Sequence, residues 1–254
     1  MTTIIAVTSL KGGSGKTTIA LNLAVSAEKA GVPTVVIDVD PQQASAKWGD
    51  LRALTGQAPM VISTMAARLS QALCSAVENG AKLVVIDTAA HAEGIVVAAI
   101  EVADLVLIPC RPTIIDLQYL GKTVQLSNLK KKDHAVILNA VQTRTIDRCQ
   151  AEGAIGDMGI NLARLSISNL VAYSRAITAG QGVAEFEPEG KAAAEMRTLL
   201  TEVMSMCHFD DNATPSVGDD NSTPGVSGTV FDWLKIPGWG RRRDSSGAST
   251  PNPS

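Results

Sequence analysis

The run Thr3-Ile-Ile-Ala-Val-Thr-Ser-Leu-Lys-Gly-Gly-Ser-Gly-Lys-Thr-Thr18 joins a β-branched segment of strand length, Thr3–Thr8, to a glycine-rich turn. A helix-length segment, Lys16–Ala30, follows at once. Glycine-rich loops between a strand and a helix are where backbone N–H groups cradle phosphate. Gly12, Gly13 and Gly15 let the chain come close to phosphate oxygens, and the N-terminus of the next helix adds unpaired donors and a favourable dipole. Lys16 has the reach of a point charge toward β- and γ-phosphates, and the Thr17 hydroxyl is a Mg²⁺ ligand by type. Ser14 and Thr18 complete the nucleotide-binding loop. ATP and Mg²⁺ are the cofactors this pattern implies.

Outward from the loop, strand-like and helix-like segments alternate. Apolar β-branched runs recur at Thr34–Val39, Lys82–Asp87, Leu105–Pro109 and Ala135–Leu138. They are near-continuous rather than alternating, as expected of parallel strands covered on both faces. Helix-length segments Ala67–Asn79 and Asp116–Lys131 lie between them, and Ala192, Met196, Leu199, Leu200 and Val203 recur at helical spacing in Ala192–Met206. The pattern predicts an α/β fold: a doubly wound, mostly parallel sheet with helices on both faces, of the P-loop NTPase type.

Acidic residues close two of the strands. Asp38 and Asp40 in Val35-Val-Ile-Asp-Val-Asp-Pro-Gln42 fall on one side of a strand, at the carboxyl edge where such sheets bind ligands. Two carboxylates there need a cation or a water network, and ordinary helix N-capping accounts for one of them but poorly for both. Asp87 follows four apolar residues in Lys82–Thr88, a Walker B pattern, placed to accept from Thr17 or from Mg²⁺-bound water. His91, three residues after Thr88, reads as a solvated loop histidine.

The general loop pattern GxxxxGK[ST] expects Gly where this chain has Leu10, and a lysine, Lys11, opens the loop instead. Lys11-Gly-Gly-Ser-Gly-Lys-Thr-Thr18 resembles the deviant Walker A motif of the ParA/MinD family. The resemblance implies that Lys11 reaches across a dimer interface to the partner's nucleotide, that Asp40 positions the attacking water, and that Asp38 supports the Mg²⁺ shell. Lys11, Lys16 and Asp40 would then be the catalytic set, with Thr17, Asp38 and Asp87 serving the metal. Pro109-Cys-Arg-Pro-Thr-Ile-Ile-Asp116 resembles the family's segment near the dimer face. Asn139 occupies a position where relatives often contact adenine, although Asn at a strand end is also a common turn residue. Val171–Glu185 and Ala192–Glu195 resemble stretches of small plasmid-partition ParA proteins. The resemblance spans about residues 1–207, with no room for an N-terminal helix-turn-helix domain.

The bulk properties agree. The 254 residues carry 45% hydrophobic and 19% charged side chains, enough for one sizeable core. Aromatics are only 3%, so aliphatic residues fill that core. A net charge of −3 gives no overall pull toward nucleic acid or anionic lipid but leaves room for a local basic patch. Cys74, Cys110, Cys149 and Cys207 form no metal-binding spacing and read as reduced, packed thiols. No signal peptide and no run of about 18 apolar residues is present, which points to the cytoplasm.

Residues 208–254 differ in kind. Asp, Asn, Ser, Thr, Pro and Gly dominate, a composition that predicts a low-complexity, disordered tail. Within it, Val230–Trp239 and Arg241–Arg243 form a short Trp- and Arg-containing motif. Pro237 and Gly238 interrupt that motif, which favours partner recognition over membrane anchoring.

Three functions compete at this stage. The first is a ParA-like positioning ATPase: an ATP-dependent sandwich homodimer that binds nonspecific DNA on the nucleoid and is reset when an adaptor or cargo protein stimulates hydrolysis. The second is a MinD-like ATPase at a membrane surface. The third is an ATP-dependent metabolic synthetase of the same fold, such as the dethiobiotin type, against which no second set of substrate-handling residues stands out. Candidate DNA contacts for the first are Arg144, Arg148, Arg164, Arg175 and Lys191, because phosphate binding needs dispersed cations rather than a base-reading helix.

Overall fold

A computed structural model describes residues 1–54, 56–142, 146–160, 162–163 and 165–207. Arg144, Arg164 and the tail motif lie outside these described residues. Six strands form one parallel sheet: β1 (Thr3–Val7), β2 (Thr34–Asp38), β3 (Met60–Ser63), β4 (Leu83–Asp87), β5 (Leu105–Cys110) and β6 (His134–Leu138). Their order is β3-β2-β4-β1-β5-β6, so β1 is flanked by β4 and β5. The helices are α1 (Lys16–Lys29), α2 (Ala44–Ala53), α3 (Leu69–Glu78), α4 (Glu93–Val102), α5 (Ile114–Leu129), α6 (Ile146–Asp157), α7 (Val171–Thr178), α8 (Val183–Phe186) and α9 (Lys191–Cys207).

The strand side chains divide by twos, as the pleat requires. Ile5, Val7, Val36, Leu83, Val85, Leu105, Leu107 and Ile137 join α1, α7, α8 and α9 in one buried cluster. Ala6, Ile37, Val84, Ile86, Val106, Ile108, Val136 and Leu138 join α3, α4, α5 and α6 in another. Both faces are covered, which is why these strands read as unbroken apolar runs. The five residues that predicted the last helix are all buried in the first cluster. Trp48 of α2 supplies that cluster with its one tryptophan.

Several elements differ from the sequence expectation. β3 and α2 carried no clear pattern: β3 is a four-residue edge strand with no buried side chain, and only Ser45, Trp48 and Arg52 of α2 are buried. α5 begins two residues before Asp116 because Thr113 caps it, accepting from the Asp116 N–H. All four cysteines are free, but Cys74 and Cys149 are exposed rather than packed, since they sit on the outer faces of α3 and α6. Among the described residues no helix is long and apolar enough to cross a membrane.

Candidate functional site

Parallel strands align their carboxyl ends, and this sheet delivers five sets of residues to one edge. β1 delivers the loop Lys11–Thr18, β2 delivers Asp38 and Asp40, β4 delivers Asp87, β5 delivers Arg111 and β6 delivers Asn139. The loop takes its shape from two glycines in the left-handed region, Gly13 at φ 72° and Gly15 at φ 100°. Gly15 has a second constraint. A Cβ there would stand 2.0 Å from Asn139 Nδ2. That amide instead donates to Ser14 O at 2.7 Å, so Asn139 braces the loop.

The two lysines lie over the loop. Lys16 Nζ donates to Lys11 O at 3.2 Å, and Lys11 Nζ donates to Gly12 O at 3.0 Å. Lys16 is buried, and that burial lowers its pKa against the raising influence of Asp87 and Asp40, with the Lys11 charge adding to the lowering. A buried ammonium beside a second cation favours a polyanionic ligand over bulk water.

Three carboxylates form the floor. Asp38 and Asp87 are register partners across β2 and β4. Asp38 Oδ1 accepts the Asp40 N–H at 2.9 Å, and Oδ2 accepts the Ala46 N–H at 2.9 Å. Burial raises the Asp38 pKa, and the Asp40 charge adds to this, against the backbone donors. Asp87 Oδ2 accepts two hydroxyls, Thr17 and Ser45, each at 2.7 Å. Its Oδ1 is buried and has no hydrogen-bond partner among the described residues. Burial pushes the Asp87 carboxyl up to about 7, against the hydroxyl donors and Lys16. Asp40 is half-buried, its Oδ1 accepting the Gln42 N–H at 2.9 Å in a tight turn.

These donors suit Mg²⁺. Among the described residues no three His, Cys, Asp or Glu side chains are grouped to hold a metal on their own. A cation here would take the Thr17 hydroxyl, phosphate oxygens and water, with the unpartnered Asp87 Oδ1 accepting from that water. Few protein ligands and several waters are what Mg²⁺ prefers.

The structure also brings in Ser45, which the sequence did not single out, and gives His91 and Asp116 surroundings that the sequence did not predict. Ser45 shares the Asp87 oxygen, and only its place in the first turn of α2 would have marked it. His91 is exposed but not merely solvated. Its backbone N–H donates to Leu10 O at 3.2 Å, its φ is 57°, its ring meets Tyr119 edge-on at 5.9 Å, and its Nε2 is 3.3 Å from where a Gly12 Cβ would stand. Asp116 turns inward and accepts from the Thr113 hydroxyl at 2.6 Å. Of the candidate DNA contacts, Arg175 is exposed in the last turn of α7, Arg148 pairs with Glu152 at 2.7 Å, and Lys191 lies 3.7 Å from Glu195.

A parallel sheet with a phosphate loop after its central strand, two loop lysines and acidic strand ends defines a P-loop nucleotide-binding domain. Residues 5–183 match the CobQ/CobB/MinD/ParA nucleotide binding domain, and the chain belongs to that family. It is 30% identical over 205 residues to the maintenance of carboxysome distribution protein A of Gloeobacter kilaueensis, covering 79% of this chain and 93% of that one. It is 27% identical over 183 residues to protein ParA of Rhizobium radiobacter, covering 67% and 80%. The fold matches the septum site-determining protein MinD of Pyrococcus horikoshii, solved with Mg-ADP, at a TM-score of 0.65 and 19% identity, over 82% of this chain and 98% of that one.

Proposed function

We propose that this chain is a slow, partner-stimulated ATPase that forms an ATP-dependent homodimer, binds DNA without sequence preference and positions cargo in the cell. The observation that carries the nucleotide chemistry is Asp87, bonded to Thr17 through one oxygen and left with a buried, unpartnered second oxygen beneath the phosphate loop. The positioning role draws on the relatives, which are named for carboxysome distribution and for ParA.

Each residue has a distinct task in this reading. The loop amides and Lys16 hold the β- and γ-phosphates, and Asn139 keeps the loop in shape while its Oδ1 meets the adenine. Thr17, with Asp87 and Asp38 behind it, would hold Mg²⁺, which when bound would supply positive charge against the phosphate oxygens. Asp40 orients the water for in-line attack on the γ-phosphate. Lys11, folded onto its own loop in the monomer, turns to the partner's nucleotide and makes the dimer depend on ATP. Dimerisation then gathers dispersed cations such as Arg175 on one face, where phosphate contacts carry no base information.

The test is binding of random duplex DNA and of anionic liposomes, each with ATP and with ADP. DNA should bind only with ATP, with log affinity falling against log salt at about −0.9 per phosphate contact. Binding to liposomes alone would replace this reading with a membrane-surface one. ATP hydrolysis with binding to neither would leave the ATPase and remove the positioning role.

A further inference from the structure

We propose that Arg111 is an additional phosphate-binding residue of this site, its guanidinium gripping the γ-phosphate of the nucleotide held by its own chain. The inference rests on the reading of Lys11–Thr18 as an ATP site.

The placement begins with the sheet. β5 pairs with β1 in the register Ile5↔Leu105, Ala6↔Val106, Val7↔Leu107, so the end of β5 stands beside the start of the phosphate loop. Arg111 is the first residue after β5. The backbone around it is fixed: the Thr113 N–H donates to Arg111 O at 2.8 Å, Pro112 locks the following φ, and Thr113 caps α5. The side chain leans over the loop, with Nη2 and Nη1 3.9 and 4.0 Å from where a Gly13 Cβ would stand. Gly13 is exposed and has no side chain to block the approach.

Charge supports the same conclusion. Glu101, Glu152, Glu185 and Glu195 engage basic side chains within the fold, but among the described residues no carboxylate forms an ion pair with Arg111. Arg111 is exposed and stands over Gly13, in the loop that also carries Lys11 and Lys16. A guanidinium with no ion-pair partner among the described residues, set over a loop that carries two lysines, favours a polyphosphate ligand. The loop amides and Lys16 hold the β- and γ-phosphates from the inner side of the loop, which leaves the outward oxygens of the γ-phosphate to another donor. A guanidinium over the exposed end of the loop therefore meets the terminal phosphate, and its planar fork binds two phosphate oxygens at once. ADP lacks that group, so Arg111 is a residue that tells ATP from ADP.

The test uses calorimetric titration of the full chain with Mg²⁺ and either ADP or the non-hydrolysable analogue AMP-PNP, for the parent, Arg111→Ala and Arg111→Lys. Losing one charge-assisted bidentate contact should weaken AMP-PNP about tenfold to a hundredfold in Arg111→Ala, while ADP affinity stays within about twofold. Arg111→Lys keeps the charge but not the fork and should fall between. Equal weakening of both nucleotides would make Arg111 a mere support of loop shape and overturn the proposal, as would unchanged affinity for both. A defect that appears only at protein concentrations where the chain dimerises would assign Arg111 to the partner's nucleotide and overturn the own-site contact. If the parent binds neither nucleotide, the ATP-site reading itself fails. Parental binding with an indifferent Arg111→Ala overturns this inference alone.

Discussion

Thr17 Oγ1 donates to Asp87 Oδ2 at 2.7 Å, joining the first turn of α1 to the end of β4 across 70 residues of sequence. The Ser45 hydroxyl reaches the same oxygen at 2.7 Å, so the phosphate loop, α2 and β4 meet at one carboxylate. Concentrating both donors on Oδ2 leaves Oδ1 buried without a bond. A buried polar atom without a partner costs stability, and the cost is recovered when a ligand shell supplies the missing donor.

Asp87→Asn should therefore separate stability from function. Its amide oxygen can still accept from Thr17 and Ser45, and no buried charge remains. The nucleotide-free variant should melt higher, by about 2–4 °C for each kcal/mol relieved. The Mg²⁺-dependent gain in ATP affinity should vanish. Thermal melts with and without Mg-ATP give both answers, and a variant that melts lower without ligand would contradict this account of Asp87.

How much of this was legible beforehand follows from where the signal lies. The phosphate loop, Asp38, Asp40 and Asp87 could be read because each sits at a strand end with fixed spacing. β3 could not, because four residues at an edge with no buried side chain leave no periodicity to find. α4 could not either: Glu93–Val102 is apolar nearly all round, and a fully apolar stretch reads equally as strand or helix. Ser45, Asn139 as a brace and Arg111 over Gly13 depend on which strands are neighbours, and strand order is a long-range property. Lys11 was visible as a second cation, but the role proposed for it across an interface rests on resemblance alone.

Asp40 and Lys11 should fail in different ways. Asp40 is half-buried and among the described residues its side chain holds only the Gln42 N–H, so Asp40→Ala should fold normally. Hydrolysis should drop by about 10²-fold or more while ATP binding survives, giving a dimer that persists in size-exclusion chromatography with ATP. Lys11→Ala should bind ATP yet elute as a monomer. An ATP-dependent dimer in Lys11→Ala would remove the cross-interface role.

Gly15→Ala should cost more than a methyl group suggests. At φ 100° an alanine is strained, and its Cβ would meet the Asn139 amide that holds Ser14 O. The strain alone is worth about 1–3 kcal/mol in urea unfolding, and nucleotide binding should be lost. Adding Asn139→Ala removes the collision but not the backbone strain, so only part of the stability should return. Full recovery in the double variant would mean that the collision was the whole effect.

Away from the nucleotide loop, Arg52 and Glu185 form an ion pair within the fold. Arg52 on α2 is 1% exposed, with its ring-facing side 4.7 Å from the Trp48 centroid. It donates to Glu185 through Nη1 at 2.8 Å and Nη2 at 3.0 Å, to Gly180 O at 3.0 Å and to Ala58 O. Glu185 also accepts the Gly182 N–H at 3.1 Å, so α2 is tied to the turn between α7 and α8. Burial opposes ionisation of Glu185. The hydrogen bonds from Arg52 and Gly182, with the charges of Arg52 and Lys29, outweigh it and hold the carboxyl below its ordinary 4.5. A carboxyl depressed in the folded state adds stability that is fully present above its unfolded value and is lost as pH falls through the folded one. The parent should therefore lose this contribution only in acid, below about pH 4.5. Arg52→Ala removes the guanidinium from a carboxylate only 10% exposed and should cost about 3–5 kcal/mol at neutral pH. The deficit should shrink in acid, because protonation of Glu185 removes the uncompensated charge. Urea unfolding of parent and variant at neutral pH and near pH 4 measures both, and a deficit that grows in acid would refute the pairing as the source of this stability.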